Sequence, residues 1–198
     1  IMVGGGASDR YFVDHAGDQV IELAGGGSAG DVHSAITYTL TANVENLVLT
    51  GALAIKGTGN GLANTLTGND ANNILNGGAG SDSMSGGQGN DTYIVDDQFD
   101  RVLENAGQGI DTVYSSASST NLSGGVENLI LTGAALSGLG NDLSNALIGN
   151  DSGNSLNGGV GADLMNGGLG DDFYFVENAG DVVLETSAAG GYDTVSSS

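Results

Sequence analysis

Residues 77–94 read GGAGSDSMS followed by GGQGNDTYI, two copies of a nine-residue template G-G-x-G-x-D-x-U-x in which U is a large apolar residue. The tandem pair returns at residues 158–175 as GGVGADLMN and GGLGDDFYF. In a chain with 37 glycines a lone Gly-Gly says little, but four copies in two pairs do. The first six residues of each copy suit a tight turn, because glycine reaches backbone conformations that other residues avoid. The last three suit a short strand whose middle side chain points inward and whose neighbours point outward. Two nonapeptides then close one coil of eighteen residues with a turn at each end. Successive coils stack as parallel strands roughly 4.8 Å apart.

This stacking sets the chemistry. Residues eighteen apart share an edge, so Asp82 stacks near Asp100, and Asp91 lies on the opposite edge. Two carboxylates about 5 Å apart repel by about 3 kcal/mol at an effective dielectric of 20. Several such pairs would consume the net stability of a domain, about 5–15 kcal/mol. A cation between coils reverses the sign. Carboxylates together with the carbonyls of a glycine turn are hard oxygen ligands, which suit calcium. The chain has no cysteine and 2 histidines, so zinc and copper are poor candidates.

These residues resemble the RTX, or haemolysin-type, calcium-binding repeat. The resemblance implies a parallel β-roll with calcium ions in the stacked turns. It also implies a large protein exported from a Gram-negative bacterium, usually by type I secretion, and placed outside the cell or on its surface. The strict match covers residues 77–94 and 158–175; with degenerate copies it reaches roughly half the chain.

The totals agree with an ordered array. With 3 basic and 24 acidic residues the net charge is −21, which repels phosphate backbones and anionic lipid. Nucleic-acid binding and membrane insertion are therefore not expected. The acids sit at fixed places among apolar residues, unlike the solvated acids of a disordered chain. The absence of proline suits inner strands that need every N–H group. No apolar run is long enough to span a membrane and no signal peptide opens the chain. The chain begins and ends inside repeat material, which reads as a piece of a longer protein.

A longer period overlies the nonapeptides. Residues 4–12 align with 86–94 at an offset of 82, and VENLVLTG at 44–51 returns as VENLILTG at 126–133. The expected organisation is the end of one roll block over 1–23, a β-helical spacer over 24–58, and a calcium roll block over 59–103. A second spacer over 104–139, a second roll block over 140–184 and a truncated third spacer over 185–198 follow. Inward residues are expected at Leu66, Leu75, Met84 and Tyr93, and again at Leu147, Leu156, Met165 and Tyr174, nine apart each time. Period-two alternation and the absence of any sustained 3.6-residue pattern predict strands with almost no helix. The fold class is all-β: a right-handed parallel β-roll or β-helix solenoid with calcium ions in the turns.

Candidate metal ligands are the sixth-position carboxylates Asp82, Asp91, Asp163 and Asp172 with the backbone carbonyls of their turns. Those turns are Gly77, Gly78, Ala79 and Gly80; Gly86, Gly87, Gln88 and Gly89; Gly158, Gly159, Val160 and Gly161; and Gly167, Gly168, Leu169 and Gly170. Asp100 and Asp181 continue the frame and are expected to face Asp82 and Asp163. The degenerate copies place Asn64, Asn73, Asn145 and Asn154 at the sixth position, where they supply neutral oxygens or close the turn without an ion. Asp70 and Asp151, at third positions, are partial substitutes. Asp91 is expected to pair with Asn73 or Asp70, and Asp172 with Asn154 or Asp151. Asp9 and Asp18 mark incomplete sites whose partners would precede Ile1.

Other patterns carry less. Residues 25–30 fit G-x-S-x-G and G-x-G-x-x-G, but neither lies in the strand–turn–helix setting that gives those motifs meaning. The repeated Glu-Asn of the spacers reads as a turn with polar pairing, and Asp111 as a turn or cap. No Ser/His/Asp, paired-acid or zinc constellation stands out, so no enzyme is expected. The function expected is calcium-dependent folding of a structural repeat segment. The second reading is an adhesin or glycan-binding module acting through the parent protein, and the third an accessory region of a secreted enzyme.

Overall fold

The computed structural model describes residues 1–25, 29–185 and 191–198. Among these, every regular element is a β-strand and none is a helix. The G-x-S-x-G serine, Ser28, and part of the last spacer lie outside the described residues. The chain divides into two compact units, Ile1–Leu103 and Glu104–Ser198, and each is a parallel β-solenoid.

In the first unit one sheet runs through Arg10–Val13, Asp31–Ser34, Asn46–Leu49, Thr65–Thr67, Ser83–Ser85 and Arg101–Val102. Strands Tyr38–Thr39, Lys56–Thr58, Ile74–Asn76 and Thr92–Val95 form the opposite wall, and Met2–Val3 pairs with Val20–Ile21. In the second unit one wall is Thr112–Ser115, Asn128–Leu131, Ala146–Ile148, Leu164–Asn166 and Val182–Val183. The other is Ser119–Asn121, Ser137–Leu139, Ser155–Asn157, Phe173–Val176 and Thr194–Ser197.

Register follows the period of the sequence. Within the nonapeptide blocks each strand sits on the one eighteen residues away: Ser83 on Thr65, Thr92 on Ile74, Ala146 on Leu164. In the spacers the interval changes while the strands stay in line. Asp31 lies twenty-one residues after its partner Arg10, and Asn46 fifteen after Asp31. The edge loops absorb the difference, so spacer and roll continue the same two walls.

The eight inward residues read from the period are all fully buried. Each such side chain contributes roughly 1.5–3 kcal/mol when removed from water. The spacer strands are four residues long and turn two leucines inward: Leu47 with Leu49, and Leu129 with Leu131. The room for the second leucine comes from a glycine on the opposite wall. A Cβ added at Gly57 would meet Leu47 Cδ2 at 3.0 Å and Leu75 Cδ2 at 3.2 Å; at Gly138 it would meet Leu129 Cδ2 at 2.8 Å.

Gly138→Val is therefore expected to overpack the core and cost about 1–3 kcal/mol. Gly124→Ala, where nothing lies within 4 Å of the added carbon, is expected to leave stability unchanged. Urea melts in saturating calcium compare the two; equal midpoints would show that Gly138 does not face the leucines.

Candidate metal centre

Each nonapeptide turn lies on an edge where one wall gives way to the other, and its sixth residue turns inward just before the next strand. The third-position side chains Ala79, Gln88, Val160 and Leu169 are exposed, and Ala79, Val160 and Leu169 can offer an ion only their main-chain oxygens. The sixth-position residues Asn64, Asn73, Asp82, Asp91, Asn145, Asn154, Asp163 and Asp172 are all buried.

Two kinds of turn differ in how they satisfy that residue. In the asparagine turns both ends of the amide are used. Asn64 Oδ1 accepts the N–H of Asn60 at 2.7 Å, and its Nδ2 donates to the carbonyls of Val44 and Glu45, at 3.1 and 3.2 Å, on the preceding coil. Asn145 repeats this with Asn141 N–H at 2.8 Å and with the carbonyls of Val126 and Glu127. The second-position asparagines add to the seam, with Asn60 Nδ2 donating to Thr41 and Val44 and Asn141 Nδ2 to Ser123 and Val126. Asn73 and Asn154 close their turns on Asn69 and Asn150 in the same way.

The turns of Asp82, Asp163 and Asp172 leave one oxygen over. Asp82 Oδ1 accepts the N–H of Asn64, eighteen residues earlier, at 2.7 Å. Its Oδ2 is buried and meets no hydrogen-bond donor. In an asparagine turn the second-position N–H fills that place, but Gly78 has φ 83° and gives its N–H to Asn76 Oδ1 at 2.9 Å instead. Asp163 is built alike: Oδ1 accepts from Asn145 at 2.8 Å, Gly159 turns its N–H to Asn157, and Oδ2 has no donor. Asp172 Oδ2 is also buried without a donor, while its Oδ1 accepts from Asn154 at 2.7 Å. Asp91 Oδ1 accepts from Asn73 at 2.6 Å.

The glycines have separate reasons. Gly77 and Gly158 lie against the orphaned carboxyl oxygen, where a Cβ would stand 2.3 and 2.2 Å from Asp82 and Asp163 Oδ2. Gly161 has φ 136°, and a Cβ there would stand 2.3 Å from the Leu143 carbonyl on the preceding coil. The expectation that all template glycines serve backbone conformation thus holds for the second and fourth positions, whereas the first is set by close approach.

Other sequence-derived ligands fall in different surroundings. Asp100 meets Asp82 through the Asp82 backbone. Its Oδ1 accepts the Asp82 N–H at 2.9 Å, and its Oδ2 accepts from Asp96 and Asp97. Asp181 does the same for Asp163, Glu177 and Asn178. Asp9 accepts from Gly5, and Asp18 from Asp14 and His15, within their own turns. Asp70 and Asp151 stand exposed.

The repeated spacer glutamate was read as a turn residue, yet it extends the same ladder. Glu45 Oε2 accepts the Gly30 N–H, and Glu127 Oε2 the Asp111 N–H, both at 2.8 Å. Register places Glu45 beside Asn64 and Glu127 beside Asn145. The clue was available: V-E-N-L puts an acid one residue before a strand, as x-D-x-U does.

Burial pushes the pKa of Asp82 up to about 6; the Asn64 N–H opposes this, and the negative charges of Asp100, Asp96 and Asp97 add to it. Asp163 is raised by burial, against the Asn145 N–H, with Asp181 adding to the rise. Asp172 is raised by burial, against the Asn154 N–H, with Asp193, Glu185 and Asp171 adding. A buried carboxyl oxygen without a donor is an acceptor that a cation could satisfy. Hard carboxyl and carbonyl oxygens fit calcium. The carbonyls nearest these turns on the preceding coil are those of Asn60 and Leu62 for turn 77–82, and of Asn141 and Leu143 for turn 158–163.

The family model of the RTX calcium-binding nonapeptide repeat matches residues 58–93 and 138–174, in four copies. No curated protein and no solved structure matches the chain.

Two outcomes check this geometry. An unfolded aspartate titrates near about 3.9. Between there and about 6 the folded, metal-free chain holds a proton on Asp82 that the unfolded chain has released. Stability without metal is therefore expected to fall as pH rises through that window. Calcium, which competes with the proton, should abolish or reverse this slope. Thermal midpoints of metal-stripped and calcium-loaded protein between pH 4 and 7 measure it, and a metal-free midpoint that climbs with pH would contradict the buried carboxylates. Separately, Gly161→Ala forces a left-handed residue onto a carbonyl and should cost at least about 1–3 kcal/mol. Gly61→Ala, with open space around it, should be neutral in the same calcium-loaded melts.

Proposed function

We propose that this chain, whose two nonapeptide blocks are RTX calcium-binding repeats, is a structural segment of a larger exported or cell-surface protein that completes its folding when it meets calcium outside the cell. The chain's calcium binding and β-roll architecture rest on the family; the extracellular setting and the conditional folding are inferences from the turns. The observation that carries them is the buried Oδ2 of Asp82, repeated at Asp163 and Asp172. Without a cation each such oxygen is a destabilising feature, since a buried polar atom with no partner costs about 1–3 kcal/mol. With a cation it becomes a ligand.

The residues that would hold the ions are Asp82 and Asp163, with main-chain carbonyls of their own and the preceding turn. Asn64, Asn73, Asn145 and Asn154 close their turns by hydrogen bonds and need no ion. Calcium at these turns would supply charge neutralisation and oxygen coordination; everything else that seats the turn is hydrogen bonding already in place. Extracellular calcium modules bind at roughly 10⁻⁴ to 10⁻³ M. Affinity in that range leaves the aspartate turns open where calcium is scarce and closes them outside the cell.

Calcium titration followed by circular dichroism, at constant ionic strength, is expected to show a gain of β-structure that magnesium and sodium do not reproduce at equal charge. Asp82→Asn with Asp163→Asn should shrink the calcium-dependent part of the change. Equal folding by sodium would reduce the effect to screening of the −21 net charge and overturn the specific sites.

A further inference from the structure

We propose that the open side of strand Thr194–Ser197 is a strand-accepting site, and that its occupant is an extended, unpaired segment of the class V-E-N-L-x-L added in parallel. Thr194–Ser197 ends its sheet: it pairs with Phe173–Val176 on one side and, among the described residues, with no strand on the other. Its sequence is a further copy of a strand the molecule uses elsewhere. Asp193-Thr194-Val195-Ser196-Ser197 repeats Asp111-Thr112-Val113-Tyr114-Ser115. In the first unit Asp31–Ser34 holds the same place, since Asp31 lies on Arg10 as Thr194 lies on Phe173.

The two covered copies identify the occupant. Asp31–Ser34 is covered by Asn46–Leu49, and Thr112–Ser115 by Asn128–Leu131, each within a V-E-N-L-x-L phrase. The valine of the covered strand lies beside the first leucine of its cover: Val32 on Leu47, Val113 on Leu129. These valines are 0 and 2 % exposed, whereas Val195, their counterpart, is 55 % exposed. Main-chain bonds set the direction. The Asn128 N–H donates to the Asp111 carbonyl at 3.0 Å, and the Thr132 N–H to that of Ser115 at 2.7 Å. The glutamate fixes the register, because Glu45 and Glu127 accept the N–H groups of Gly30 and Asp111, the residues just before the covered strands. At the open edge those places belong to Asp193 and Ser197. Thr194 and Ser198 give their N–H groups to the carbonyls of Asp172 and Val176, so Val195 and Ser197 turn theirs away from that neighbour.

Edge strands are commonly guarded by lysine, proline or an inward-pointing charge, and Thr194–Ser197 carries none of these. A folded second copy of the chain cannot cover it with the matching phrase. Asn46–Leu49 and Asn128–Leu131 each lie between two strands already, so neither has an edge to give. The partner is therefore a polypeptide whose V-E-N-L-x-L segment is unpaired. Main-chain bonds would supply affinity, and the leucine that closes over Val195 selectivity, as when a peptide strand extends a sheet.

The probe is a fluorescent peptide of residues 125–133, GVENLILTG, titrated into the full chain in saturating calcium and read by anisotropy. Saturable binding is expected, with a scrambled peptide weaker by about tenfold or more. Methylating the peptide nitrogen of Asn128 or Ile130 removes a bond to the edge and is expected to abolish binding. The Glu127 carbonyl accepts the Ala146 N–H, so Leu129 faces the other way, and methylating its nitrogen is expected to be tolerated. Val195→Asp in the chain should weaken binding by about tenfold or more, with circular dichroism unchanged because Val195 is already exposed. Should that variant misfold, slowed hydrogen exchange at the Val195 and Ser197 amides of the parent on adding peptide supports the site. Absence of saturable binding overturns the proposal. Equal binding of the scrambled or of all the methylated peptides also overturns it, by reducing the effect to adhesion of an apolar peptide. Dimerisation in sedimentation that excess peptide does not reverse would assign the edge to a second copy and overturn it as well.

Discussion

The structure turns on one buried oxygen in each of the turns of Asp82, Asp163 and Asp172. The Asp82 and Asp163 carboxylates each rest one oxygen on a main-chain N–H and leave the other without one, because Gly78 and Gly159 direct their own N–H groups elsewhere. An amide at the same place has no such deficit, since it offers both an acceptor and two donors. Asn64 and Asp82 occupy the same point of successive coils on one edge, and they differ by one amino group for one oxygen. That exchange converts a coil held by hydrogen bonds into one that asks for a cation. Electrostatics sharpens it, because the acids of the edge raise the cost of ionising a group already buried.

Much of this was legible because the solenoid makes distance in space a fixed distance in sequence. The inward set from Leu66 to Tyr93 followed from counting nines, and the stacking of Asp82 on Asn64 and Asp100 from counting eighteens. What counting missed depends on hydrogen direction and on side-chain volume. The charge of Asp100 bears on the Asp82 carboxyl as the eighteen-residue interval leads one to expect, but the bond from the Asp82 backbone N–H to Asp100 Oδ1 is one that counting could not supply. Glu45 and Glu127, expected in a turn with polar pairing, make that pairing with backbone N–H groups of the preceding coil and so stand in the ladder. Gly57 and Gly138 carried no motif; only the paired leucines across the core explain them.

Charge distribution divides the chain unevenly. All three basic residues, Arg10, Lys56 and Arg101, fall in the first unit, and Arg10 pairs with Asp31 at 3.3 Å. The second unit has acids alone. Surface ion pairs contribute little to stability in any case, about 0–1 kcal/mol each. Their absence matters more for what it leaves over: a set of carboxylates that no side chain of that unit can neutralise. Solvent can screen the exposed members of that set, but not Asp163 and Asp172, which are buried.

The order of turns within a block then has a physical consequence. In both units the asparagine coil lies next to the spacer, and its amides bond to spacer carbonyls: Asn64 to Val44 and Glu45, Asn145 to Val126 and Glu127. That seam forms without metal. The aspartate coil comes after it and rests its Oδ1 atoms on the N–H groups the asparagine coil presents. A block made only of aspartate turns would present the same backbone N–H groups, as Asp82 does to Asp100, but repulsion along the edge would oppose each added coil. A block made only of asparagine turns would form regardless of calcium. Placing amides first and carboxylates second gives the aspartate coil a hydrogen-bonded strand edge to rest on. Because that edge supplies one bond to each aspartate in advance, calcium has only to complete a turn whose backbone is already placed.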